Sequence, residues 1–168
     1  MATHSVVPTG VDGGASVLLP PEVIYRSAAV WSETHEHTLV ILCSDPLFKE
    51  ATTEFVEGHL GLMRYDRIVV PGGVATMLFA SPAYLPMRQH LTLLHEAHSF
   101  RLVVTVGHFP CRYYGKRYAR LDTTDRRRRA LSDLQQFKAN LGRLVPGVSV
   151  ETFFAEPAED HIQFLGTD

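Results

Sequence analysis

The feature that most constrains this chain is an alternation of two periods. Short, continuous apolar runs rich in branched residues lie at 38–43 (TLVILC), 67–71 (RIVVP), 102–106 (LVVTV) and 148–154 (VSVETFF). Stretches of helical periodicity separate them. Unbroken apolar runs of this length predict strands buried on both faces, as in parallel sheets. Parallel neighbours need crossovers, and the crossover helices must cover both faces of the sheet. The pattern therefore predicts an α/β fold: a three-layer α/β/α architecture with a mostly parallel sheet of about four to five strands. One helix is predicted to start at Pro46, with Asp45 as N-cap and Phe48, Ala51, Phe55 and Leu60 as its apolar stripe. A second is predicted over 83–97. A third covers 125–144, with Ala130, Leu131, Leu134, Phe137 and Leu141 on one face and Asp122, Thr123 or Thr124 as its cap.

Residues 1–22, rich in Gly, Pro, Ser and Thr, predict an extended N-terminal arm, and 23–168 a single domain. At 168 residues the chain can bury a core without staples. With 45% hydrophobic and 20% charged residues it is neither disordered, collagen-like nor coiled coil. A net charge of −2 argues against a bulk role on nucleic acid or membranes. No apolar run approaches the roughly 18 residues of a membrane span. Residues 1–20 hold no Lys or Arg and no long apolar stretch, so the expected location is the cytoplasm. In that compartment the two cysteines, Cys43 and Cys111, read as metal-binding or catalytic rather than as a disulfide.

Cys43 ends the first run, and Asp45 follows two residues later. His108 and Cys111 follow the third run, in the segment Gly107-His108-Phe109-Pro110-Cys111. In open parallel sheets ligands gather at the C-terminal strand ends, where strand order reverses. If the first and third strands are neighbours, these side chains converge. Taken singly, each is an ordinary buried cysteine or turn histidine. Taken together, two thiolates and an imidazole suit zinc and leave one position open. Asp45 is the candidate for a fourth ligand.

Cys43-x-Asp45 followed by His108-x-x-Cys111 resembles the beta-class carbonic anhydrases, most of all a shorter, divergent branch of that family. The segment 106–111 (VGHFPC) resembles the family's Gly-His-x-x-Cys stretch, and 71–75 (PGGVA) stands in the place of its small-residue loop. The resemblance spans roughly residues 37–165. It implies Zn2+ held by Cys43, His108 and Cys111. It implies a catalytic Asp45 that binds the metal or orients its water. The activity implied is reversible hydration of CO2 to bicarbonate by zinc-bound hydroxide, in a homodimer or higher oligomer. Gly72, Gly73, Val74, Arg112 and Tyr114 are candidate substrate contacts. Two positions depart from the family pattern. Leu47 stands where Cys-x-Asp-x-Arg has its arginine, and Arg112 stands where glycine is preferred. An ionised Asp45 without that cationic partner, beside a divalent ion, should ligate it. The expectation is a closed Cys43–Asp45–His108–Cys111 site with weak hydration near neutral pH. The alternative is a non-catalytic zinc-binding relative with a structural, sensing or interaction role.

Residues 112–129 hold eight basic residues against two acids, interleaved with Tyr113, Tyr114 and Tyr118. Such interleaving can bind anions or nucleic acid. Four arginines near a helix start oppose its dipole, so Arg126–Arg129 are predicted to face solvent or to meet acids. Nucleic acid is the weaker of these readings. His90, His95 and His98 fall on one predicted helix, and His35 and His37 flank a strand start. Neither set completes a metal pattern in sequence, and both read as solvated. Gly72-Gly73 reads as a tight turn before it reads as an anion cradle.

Overall fold

Residues 38–43 behave as a doubly buried strand should: every residue from Thr38 to Leu42 is buried. In the computed structural model, which describes residues 23–167, this strand β1 (Thr38–Cys43) is one of five. The chain divides into two units, Met1–Ser32 and Glu33–Asp168. The arm predicted over 1–22 lies outside the described residues. Residues 23–32 form no helix or strand, and within them the Ala29 N–H donates to Ser27 Oγ at 3.0 Å. All that follows concerns the second unit.

After β1 come a 3-10 turn (Pro46–Phe48), α1 (Lys49–Thr53) and a π-helical turn (Glu54–His59). Then follow β2 (Asp66–Val70), a second 3-10 segment (Gly73–Met77), α2 (Tyr84–His98) and β3 (Leu102–His108). The chain continues through α3 (Arg112–Arg117), α4 (Thr123–Leu144), β4 (Ser149–Ala158) and β5 (His161–Gly166). The sheet order is β2-β1-β3-β4-β5. The first four strands run parallel, and β5 is antiparallel to β4. This is the predicted mixed α/β architecture.

Alternation along the strands assigns the two faces. Leu39, Ile41, Val103 and Phe154 face one core, which Leu91 and Phe100 join with Leu134, Phe137 and Leu141 of α4. Val40, Leu42, Val104, Val106 and Ala155 face the other, packed on Phe48, Phe55 and Val56. The β1–β2 connection thus packs on one face and α2 on the opposite one. The β1–β2 and β2–β3 crossovers run in opposite directions along the sheet, so right-handedness puts them on opposite faces. Strand order reverses at β1, so a crevice opens at the C-terminal ends of β1 and β3.

Three elements differ from the sequence expectation. The first helix is broken, with Thr52 Oγ1 bonding back to Phe48 O at 2.7 Å, a competition that disfavours a regular helix. Arg112–Arg117 forms a short helix within the basic stretch, where no helix was predicted. The fifth strand follows a hairpin at Glu159, which takes a left-handed φ of 56°. The third helix is capped as predicted, with Asp122 Oδ1 accepting from Asp125 N at 2.7 Å. Among the described residues no helix is long and apolar enough to cross a membrane.

Candidate metal centre

β1 ends at Cys43 and β3 ends at His108, and the pairing Leu42↔Val106 sets these two ends side by side. Cys111 is the N-cap residue of α3, in extended conformation, three residues beyond β3. The donor atoms of Cys43, His108 and Cys111 all lie within 4.8 Å of one another. The two sulfurs are 3.9 Å apart. Two Zn–S bonds of about 2.3 Å at a tetrahedral angle put the sulfurs about 3.8 Å apart, so the thiols are spaced as ligands of one ion.

His108 is buried, and its Nδ1–H donates to Pro110 O at 2.9 Å. That bond leaves the Nε2 lone pair to face the sulfurs, the arrangement by which proteins orient a metal-binding imidazole. Nε2 is buried and has no hydrogen-bond partner. An orphaned buried acceptor is costly, and a metal ion satisfies it. The Phe48 ring packs on the imidazole with centroids 4.1 Å apart and closes that side. The Gly72 N–H donates to Cys43 Sγ at 3.2 Å. The Cys111 thiol hydrogen-bonds Cys43, which holds the Cys43 thiol down to about 4 against the opposing effect of burial, with His108 assisting. The same bond, with burial, pushes the Cys111 thiol up. A cation bound between the sulfurs would displace thiol protons.

A cavity of about 570 Å³ opens onto Cys43 and Cys111, and Asp45, Gly72, Arg112 and Lys116 are among its walls. A void of about 10 Å³ adjoins it, sharing Cys43, Gly72 and Cys111 and lined also by Val74, His108 and Tyr114. The candidate substrate contacts therefore separate. Gly72 and Arg112 face the cavity, whereas Val74 and Tyr114 wall the void. Gly73 lines neither and lies buried against the β1 backbone at Leu42 and Cys43. Gly72 has a φ of 76°, and a Cβ there would stand 2.4 Å from the Tyr113 ring. Only glycine tolerates both conditions.

Asp45 lies on the cavity wall, and its Oδ1 accepts from Leu47 N at 3.1 Å as the cap of the following turn. Its carboxylate is not part of the 4.8 Å group of Cys43, His108 and Cys111. Leu47, which stands where an arginine was expected, points outward and is 70% exposed.

Sequence reasoning missed the support behind the centre. The Tyr114 hydroxyl donates to Asp133 Oδ2 at 2.9 Å, and Arg129 Nε donates to Asp133 Oδ1 at 2.8 Å. Burial pushes the Tyr114 phenol up, and the Asp133 carboxylate adds to that. Burial also raises the Asp133 carboxyl, opposed by Tyr114 and Arg129. The available signal was an acid within the apolar stripe of α4, between Ala130 and Leu134. The basic stretch resolves the same way. Arg126 Nε donates to Asp122 O, Arg127 pairs with Glu156, Arg128 with Asp125 and Arg129 with Asp133. These four of the eight basic residues are engaged within the fold. The α2 histidines are not all solvated: His95 Nδ1 is buried, and His98 bonds Asp66.

No family model matches this sequence, and no curated protein does. Solved structures do. The beta-carbonic anhydrase isoform I of the protozoan Trichomonas vaginalis aligns with a TM-score of 0.50 at 11% identity, covering 82% of this chain and 87% of that one. The beta-carbonic anhydrase CafA of the fungus Aspergillus fumigatus aligns at 0.48 and 16% identity, over 80% and 77% of the two chains. A structure of tetrameric beta-carbonic anhydrases from Sordaria macrospora aligns at 0.47 and 16%, over 79% and 82%. The fold is that of the beta-carbonic anhydrases. Identities this low establish the fold and do not transfer residue roles.

Proposed function

We propose that this chain holds zinc on Cys43, His108 and Cys111 and catalyses the reversible hydration of CO2 to bicarbonate, as a carbon–oxygen lyase. One observation carries the reading: the orphaned His108 Nε2 faces two thiols spaced for a tetrahedral ion, at the strand ends where this fold gathers ligands. Zinc bound there supplies a Lewis acid that makes hydroxide available near neutral pH. The chain supplies the rest. Gly72 N–H and the Pro110 carbonyl hold Cys43 and His108 in place. Phe48 packs on the His108 ring and covers that side of it. Asp45 is the carboxylate at the cavity mouth, and the position two residues on is Leu47 rather than an arginine. Asp45 therefore competes for the fourth metal position, and hydration is weak at neutral pH.

The test is zinc content per chain followed by a pH-resolved CO2 hydration assay. About one zinc per chain with slow turnover at pH 7 is expected, and Leu47→Arg should speed it. Brisk turnover by the parent at pH 7 would overturn the role given to Asp45. The second reading, a non-catalytic zinc protein, is favoured by the outward Leu47. One zinc per chain with no hydration at any pH, in the parent and in Leu47→Arg alike, would select it.

A homodimer or higher oligomer belongs to the same proposal. Val69 on the edge strand β2 and Phe79, Leu85 and Leu93 near and on α2 are exposed apolar residues, the kind of surface a partner covers. The free thiols, Cys43 and Cys111, favour a cytoplasmic location, where they stay reduced.

A further inference from the structure

We infer a second divalent-metal site, built by His35, His37 and His98 at the end of the sheet opposite the Cys43–His108–Cys111 centre. The three residues come from the segment entering β1 and from the last turn of α2, and Asp66 at the start of β2 stands behind His98. The rings form a chain. His35 and His37 have centroids 4.4 Å apart, and His35 and His98 5.4 Å apart. Two imidazoles on one ion, with metal–nitrogen bonds of about 2.0–2.1 Å and the centroid about 1.1 Å further, have centroids roughly 4.5 Å apart at a right angle and roughly 5.2 Å at a tetrahedral one. The observed spacings lie within about 0.2 Å of these two values.

The hydrogen bonds also prepare the rings. His98 Nδ1 bonds Asp66 Oδ1 at 2.7 Å, the carboxylate–imidazole pairing that orients metal-binding histidines. His37 Nδ1–H donates to His98 O at 2.9 Å. Both bonds leave Nε2 as the lone-pair nitrogen. His35 Nδ1 accepts from His37 N at a long 3.4 Å, a contact weak enough to be exchanged for a metal bond. The backbone turns sharply beside two of the rings, at His37 and at Ser99, the C-cap residue of α2. His37 has a φ of 51° and Ser99, directly after His98, has a φ of 51°. Left-handed conformations at non-glycine residues persist where surrounding contacts impose them. Here the His37 carbonyl accepts from Arg101 N at 2.7 Å.

Imidazole donors select zinc, nickel or copper over calcium or magnesium. The ring nitrogens are not drawn as close as the donors of the Cys43–His108–Cys111 group, so exposed rings must rotate to close on an ion. The histidine site is therefore the weaker of the two and accessible from solvent. An ion there would tie residues 33–37 to the end of α2, a role independent of CO2 chemistry.

The experiment uses tag-free, zinc-loaded full-length protein titrated with Ni2+ at pH 7.5, read by calorimetry. One additional equivalent per chain is expected. His35→Ala and His98→Ala should each weaken it at least tenfold. Cu2+ in place of Ni2+ should show nitrogen hyperfine structure in its electron paramagnetic resonance spectrum, lost in the same variants. Unchanged binding in His35→Ala, or no second equivalent in the parent, would overturn the assignment. His98→Ala also removes the bond to Asp66, so if it does not fold, His35→Ala decides, because His35 is exposed and lightly bonded. The readout does not depend on the first centre. If the chain takes up no zinc at all, the loss of nickel in His35→Ala still reports on the histidines.

Discussion

His108 Nε2 is a buried acceptor with nothing to accept from, and that atom can be removed chemically. His108→Ala should reduce zinc below about 0.2 per chain, measured by metal analysis after gel filtration, because two thiolates alone leave the ion underliganded. Tyr114→Phe tests the support behind the centre. It strips Asp133 Oδ2 of its donor in a buried place, a loss of about 1–3 kcal/mol in urea denaturation. The sequence made Cys43, His108 and Cys111 legible because their spacing from apolar runs is itself geometric information. Asp133 was not legible, because an acid in a helix rich in charge reads as solvated until the helix face is known. Asp45 was read correctly as a cap. Whether it also binds metal depends on a carboxylate rotamer, which residue order does not encode.

At the level of elements, two contacts decide how the centre is framed. Gly72→Ala would set a Cβ at a left-handed φ and 2.4 Å from the Tyr113 ring. It should cost about 1–3 kcal/mol in urea denaturation and loosen the Cys43 sulfur's backbone donor. The Arg127–Glu156 bond joins α4 to β4 at 2.7 Å and holds the Glu156 carboxyl below its usual 4.5. A lowered carboxyl pKa stabilises the fold above the unfolded value and loses that effect as pH falls through the folded one. The thermal midpoint of Glu156→Gln should therefore lie below that of the parent at pH 7 and converge on it as pH falls below 4.5. Strands β1 and β3 were legible because double burial leaves an unbroken apolar run. β5 escaped because an edge strand is half exposed and its residues mix polar with apolar. The first helix was overread: its stripe is real in Phe48 and Phe55, but adjacent β-branched Thr52 and Thr53 favour local bonds over a regular helix.

For the molecule as a whole, the proposed zinc would link metal binding to folding. At about 1,000 times its dissociation constant it would add about 4.1 kcal/mol to stability. For a chain of this size that is a rise of roughly 8–16 °C in the thermal midpoint. Differential scanning calorimetry with and without a chelator checks this, and an equal midpoint in both would mean that zinc does not bind the native centre. The architecture was legible from the alternation of strands and helices. The pairing order was not, since β1 could have been an edge, and its central place is what joins Cys43 to His108 and Cys111. That central place also has a consequence in time. Cys43 and Cys111 are 68 positions apart. A ribosome adding about 5–20 residues per second takes about 3–14 s to synthesise that interval. For those seconds the Cys43 sulfur is in the cell without its partners, open to oxidants and to competing metals. The nascent chain is thus the stage at which this protein is most exposed to the redox state around it.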